Sequence, residues 1–298
     1  MKRTLKTSGK NPSKQIIALS VLFAFVLLLG ASCVNDLDNE SSQDPFGDKQ
    51  ILVDPNPDVL FGNGSHESEI EVIVNPATVQ DGSGIVFNLT GSDLPSNLRG
   101  CLRNADTVIS GAHAFADYIG GIFIASSAEL QASEPPTARV NVAASVTPPG
   151  GGDSDSNFGT VILNGVGMIP PEDIEDLVTN PADSPTSIFV TLEFQTVGIP
   201  PGTTVSFTVS RPDLGSLNPT STPVVGSEES GLAATQYTTV NNTGGTQVVT
   251  ARVVLPNPFD VDPNCPNVPE ADRTIEEVVV ITQSVPEPTP APTPTPGP

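Results

Sequence analysis

The sequence predicts an all-β chain built as two tandem β-sandwiches, and three observations carry that prediction. Short runs of Val, Ile, Thr and Phe are separated by Gly, Pro and Asn, the residues of turns. No stretch keeps the apolar spacing of a long amphipathic helix. The chain also repeats itself, with five landmarks recurring in one order at an offset of 113 to 120 residues.

The first landmark is an opening strand, Glu69–Val74 in one copy and Ser187–Leu192 in the other. A turn and a Gly-led strand follow, Gly84–Leu89 and Gly202–Phe207. The two tyrosines of the chain, Tyr118 and Tyr237, come next at matching places. The tetrapeptide Thr-Ala-Arg-Val then occurs twice, at Thr137–Val140 and Thr250–Val253. Closing strands complete each copy, Thr160–Leu163 in the first and Thr274–Ile281 in the second. Within them the pattern has a period of two: Phe207 and Val209 share one face, and Ser206, Thr208 and Ser210 the other. That alternation is what a half-buried strand requires. Several short strands per hundred residues, with turn signals between them, fit a seven-stranded sandwich.

The second copy resembles the bacterial immunoglobulin-like domains of the intimin and invasin family. The resemblance runs from Gly202 to Leu255: the Val-Ser-Phe strand, Gly215-Ser216-Leu217, the Gly231-Leu232-Ala233 step into Tyr237, and Gly244-Gly245-Thr246 leading to Val248–Ala251. The first copy keeps Asp81-Gly82, the Val86-Phe87 strand, Tyr118 and the Thr-Ala-Arg-Val strand. The resemblance implies two tandem immunoglobulin-like β-sandwiches, acting as spacers or adhesion surfaces. Neither copy has the paired cysteines and buried Trp of antibody domains.

The copies span residues 51–168 and 186–285, with a linker at 169–185. In that linker Pro170–Leu177 reads as loop or as one short helical turn, with proline and acids at its positive end. Residues 286–298 alternate Pro with Thr, Ala and Glu, the composition of an extended, unpacked tail.

Residues 1–32 read as a secretion leader. Five bases and no acid precede an apolar run from Ile16 to Gly30, and Ala31-Ser32 lead into Cys33. The run is shorter than the about 20 residues of a spanning helix. The pattern resembles a bacterial lipoprotein leader, which implies acyl chains on Cys33. It departs from that pattern at Gly30, where Leu is usual. Secretion with a free Cys33, or an uncleaved anchor, are the alternatives. Each buried methylene contributes about 0.8 kcal/mol, so more than one chain makes a stable anchor. Val34 after the cysteine, in place of Asp, leans toward the outer membrane. Residues 33–50 are polar and acidic, the composition of a solvated tether.

Removing the leader takes away five of the twelve bases and none of the acids. It leaves 34 acids against seven bases, a formal charge of −27. Such a field repels phosphate backbones, which argues against a nucleic-acid partner. Solubility outside the cell explains the acidity, and attraction to cations or to a basic partner is the functional reading.

Each copy carries Asp-x-Asp-x-Asn after its Thr-Ala-Arg-Val strand: Asp153, Asp155 and Asn157, then Asp260, Asp262 and Asn264. Alternating oxygen ligands in a loop suit calcium. An EF-hand would need Gly sixth and Glu twelfth, where Phe158 and Asn164, and Cys265 and Ala271, stand instead. A solvated acidic loop is the competing reading, and no other cofactor is expected. Cys101 and Cys265 lie in different copies. An oxidising exterior permits a bridge between them, and two free thiols or contacts with another chain are the alternatives. His66 and His113 lack the context of a catalytic group, no Gly-x-Ser-x-Gly elbow occurs, and Gly150–Gly152 lacks the Lys of a phosphate loop. The chain is therefore expected to be no enzyme. The expectation is an envelope lipoprotein at the outer membrane or cell surface, a structural or adhesion module for a protein or surface component. A periplasm-facing accessory subunit is the alternative.

Overall fold

The split first strand organises both halves of the molecule. The computed structural model describes residue 46 and residues 49–287; Cys33, the leader, most of the tether and residues 288–298 lie outside the described residues. The first half runs β1 (Ile51–Asn56), β2 (Val59–Phe61), β3 (Glu67–Val74), β4 (Gly84–Ser92), β5 (Cys101–Arg103), β6 (His113–Ile119), the one-turn helix α1 (Ser127–Leu130), β7 (Thr137–Thr147) and β8 (Asp155–Asn164). Its sheets have the orders β1-β3-β6-β5 and β2-β8-β7-β4. Thus β1 lies antiparallel to β3 in one sheet, and the chain then steps across so that β2 runs parallel to β8 in the other. Four strands ordered A-B-E-D against A′-G-F-C is the immunoglobulin-like arrangement.

The second half repeats it. The strands are β9 (Gly167–Ile169), β10 (Ile174–Val178), β11 (Phe189–Val197), β12 (Thr204–Val209), β13 (Gly215–Asn218), β14 (Ser221–Pro223), β15 (Val225–Gly226), β16 (Gly231–Thr239), β17 (Gly245–Val254), then the one-turn helix α2 (Pro258–Val261), and β18 (Thr274–Ser284). The sheets run β13-β16-β11-β9 and β10-β18-β17-β12-β14, with β15 on β16. Again one part of the first strand, β9, is antiparallel to β11, and the other, β10, is parallel to β18. The stretch 169–185 is therefore not simply a linker. Ile169 and Ile174–Val178 are strand, with neither the helical turn nor a loop at 174–178. The reason is tertiary: β11 and β18 are open edges whose ladders these residues complete, overriding the Pro- and acid-rich local sequence.

Alternation fills the cores. Along β7, Ala138, Val140, Val142, Ala144 and Val146 point inward, while Arg139, Asn141, Ala143 and Ser145 point outward. In the second sandwich Leu192, Phe194, Phe207, Val249, Val253, Val279 and Ile281 form one cluster, with the Phe194 and Phe207 ring centroids 5.6 Å apart.

The repeated tyrosines are buried on the equivalent strands β6 and β16. Each hydroxyl needs a partner once out of water. Tyr118 Oη donates to the Arg99 carbonyl (2.7 Å), and Tyr237 Oη donates to Gln283 Oε1 (3.0 Å). Burial, aided by the charge of Asp213, pushes the Tyr237 phenol up to about 12, and burial pushes Tyr118 up as well. Both phenols ionise more readily in the unfolded chain, near pH 10. Their contribution to stability is therefore complete below pH 10. It falls as pH rises from 10 through 12 for Tyr237. Urea titrations at pH 9 and pH 11.5 should show that loss for the parent and a smaller one for Tyr237→Phe; equal losses would exclude Tyr237 as a source.

Candidate binding surfaces

The sandwiches meet through a cysteine link that the sequence permitted and a polar junction that it did not announce. Asn63, between β2 and β3, is fully buried, and its amide donates to the Gly198 carbonyl (3.1 Å) and to Glu228 Oε1. His66 Nε2 lies 2.8 Å from Glu228 Oε2. Ile122 of the first half is buried within the second core, with Phe61, Leu98 and Ile124 packed against it. Gly198 has a positive φ of 69°, and a Cβ there would run into Val166 and Phe61, so both backbone and space call for glycine.

The long segment between β17 and β18 reaches back to the first sandwich. Cys265 in that segment is linked to Cys101 at the start of β5, with Cα atoms 5.3 Å apart. Both are buried (9% and 4% exposed) against Ile119. Asn257 shapes the segment: its side-chain oxygen accepts from the backbone N–H of Phe259 and Val268, and its amide donates to Asn267. Nothing in the spacing of Asn257, Asn267 or Glu228 marks these roles, because each depends on chain brought close only by folding.

The acid-rich trios fall into different settings. Asp155 and Asn157 lie on one face of β8, where Asp155 Oδ2 accepts from the Gln50 N–H (2.9 Å) and Asn157 Nδ2 donates to the Ile51 carbonyl (3.0 Å). They stitch the first strand to the opposite sheet. Asp153 is exposed in the preceding loop. Asp262 ends α2, its Oδ1 accepting from the Asn264 N–H (2.8 Å) and side-chain amide (2.9 Å), and Asp260 is exposed. Among the described residues no three His, Cys, Asp or Glu side chains cluster as metal ligands.

The two Thr-Ala-Arg-Val arginines sit at equivalent points on the outer faces of β7 and β17, each beside a shallow depression. Across the ladder, Arg252 faces Glu276, whereas Arg139 faces Ile162. Arg252 Nη2 binds Glu270 Oε1 (2.6 Å) and its Nε lies 3.2 Å from Glu276 Oε1. The hydrogen bond from Arg252 holds the Glu270 carboxyl below its ordinary range. The depression beside Arg139, about 370 Å³, is lined by Gly91, Ser92, Asp93, Asn141, Phe158 and Thr160. Phe158 stands on it 57% exposed. Thr160 Oγ1 donates to Asn141 Oδ1 (2.9 Å), which fixes the amide so that its Nδ2 turns over Gly91.

No family model matches the chain, and no curated protein matches it. Among solved structures it is similar to the D0–D1 domains of intimin, at 14% identity and a TM-score of 0.24, over 78% of this chain and 97% of that one. It is also similar to an adhesin of Yersinia pseudotuberculosis, at 13% identity and a TM-score of 0.28, over 78% of this chain and 58% of that one. Invasin, a bacterial integrin-binding protein, matches at 14% identity with a TM-score of 0.26, and the chain spans 40% of it. The class of the protein, a tandem immunoglobulin-like β-sandwich, rests on its own strand order.

Proposed function

We propose that this chain is a non-catalytic binding module held to the cell envelope through a lipidated Cys33, with its sandwiches displayed outside. The observation that carries the reading is the junction. A buried amide, a His–Glu pair and a cross-link between cysteines hold the two sandwiches together, which suits a module presenting its outer faces at a fixed spacing. The acidic surface supports solubility outside the cell. Fold alone does not specify activity, so the assignment turns on location and display.

Protease shaving of intact cells tests it, with a periplasmic protein as leakage control. Cleavage of the chain while the control survives is the expected result. Protection until the outer membrane is opened would overturn surface display and assign the chain to a periplasm-facing accessory role. Labelled palmitate should enter the parent and not Cys33→Ala; equal labelling would remove the anchor.

A further inference from the structure

We propose that the depression around Arg139 on the outer face of the first sandwich binds a saccharide unit bearing one carboxylate. The proposal rests on the reading of the chain as a binding module and names the chemistry of its ligand.

The internal repeat supplies the argument. At one structural position, the outward Arg of Thr-Ala-Arg-Val, the second sandwich provides two carboxylates of its own, from Glu270 and Glu276. In the first sandwich no carboxylate pairs with the guanidinium: that of Arg139 has no hydrogen-bond or ion-pair partner among the described residues, Asp93 in the same depression bonds the Arg139 backbone N–H instead, and Ile162 occupies the place of Glu276. Arg252 thus displays the ligand chemistry of the position, a carboxylate on a guanidinium fork, and Arg139 is the unfilled version.

Three neighbours favour a sugar as the bearer of that carboxylate. Phe158 offers an exposed aromatic face beside the arginine, a surface for the C–H side of a sugar ring. The Asn141 amide, oriented by Thr160, holds two N–H donors over Gly91 with no partner among the described residues. A Cβ at Gly91 would stand 2.8 Å from that nitrogen, so glycine keeps the donors open. Asp93 anchors the rim through Oδ2, which accepts from the Arg139 backbone N–H (2.9 Å). The volume is at the small end of sites for small molecules, about 300–1,000 Å³, which suits a single ring. The strongly negative body repels polyanions, which favours an isolated carboxylate over a densely charged chain.

The test is binding of the full-length protein, purified in detergent, to immobilised neutral, uronate-bearing and sulfated oligosaccharides and to acidic peptides at matched density. Uronate-bearing glycans should be retained, and reducing their carboxyl to an alcohol should abolish retention. Arg139→Gln and Phe158→Ala should each weaken binding at least about tenfold. Ile162→Glu, which reproduces the second sandwich's own pairing, should do the same, and Arg252→Gln should leave binding unchanged. All four variants should keep the parent's melting temperature within a few degrees. Absence of uronate binding by the parent, or equal binding by Arg139→Gln, would overturn the proposal, and retention of acidic peptides alone would assign the site to a protein ligand instead. Shaving and glycan binding separate the two claims: surface exposure without glycan binding defeats only the ligand, and glycan binding by a chain protected in cells defeats only the display.

Discussion

Replacing Phe194 by alanine is expected to lower the unfolding free energy by about 3–5 kcal/mol. The ring is fully buried on β11, faces Phe207 across the sandwich and belongs to the cluster that joins both sheets of the second half. Truncation removes that apolar area from the core and leaves a cavity bounded by strands whose ladders hold them in place. Urea denaturation followed by circular dichroism reads the change, with the slope kept near the parent's so that the difference is one of stability. The exposed Phe158 is the control, since its truncation opens no cavity and should stay within about 0.5 kcal/mol. A loss below about 1 kcal/mol at Phe194 would mean that the second core is not packed as described.

The double substitution Cys101→Ser with Cys265→Ser is expected to cost about 2–5 kcal/mol. The bond closes a loop of 164 residues, so in the unfolded chain it restrains a long stretch. Its loss should also act locally. The segment between β17 and β18 is held to the first sandwich by Cys265 and by a 3.3 Å hydrogen bond from the Asn97 amide to Asp272 Oδ2. Amide exchange should therefore accelerate at residues 256–273 before it does at β7 or β17, because local opening draws on the weakest contacts first. Uniform acceleration across both sandwiches would show instead that the bond acts only through the unfolded state. Alkylation of both thiols in the unreduced parent would show that the bond does not form.

The two experiments concern parts of the molecule that the sequence revealed unequally. Phe207 is legible as core because it lies on a run with period two, and alternation is a local consequence of the pleat; Phe194 lies beyond the Ser187–Leu192 run, and the structure places it in the core. The duplicated Tyr and Thr-Ala-Arg-Val landmarks made the tandem architecture legible, because equivalent strands in a repeated fold need equivalent packing. The edges were not legible. Ile174–Val178 follows Pro170-Pro171 and contains Glu175 and Asp176, and it becomes strand only because β18 presents an unpaired ladder on that side. The Asp-x-Asp-x-Asn spacing of the first copy has a local origin too: Asp155 and Asn157 alternate because they sit on a strand, and their polar groups meet the backbone of residues 50 and 51.

By itself the sequence determined the all-β class, the duplication and the inward and outward faces of the principal strands. These follow from local periodicity, turn residues and composition. Only the tertiary structure decided that the first strand of each sandwich is divided between two sheets, and that Asn63 and His66 meet Glu228. Only it showed that Arg252 is neutralised while Arg139 is left open. Those facts depend on contacts across more than a hundred residues, or on the residue that happens to stand opposite in a ladder, and register is fixed only when sheets close around a common core.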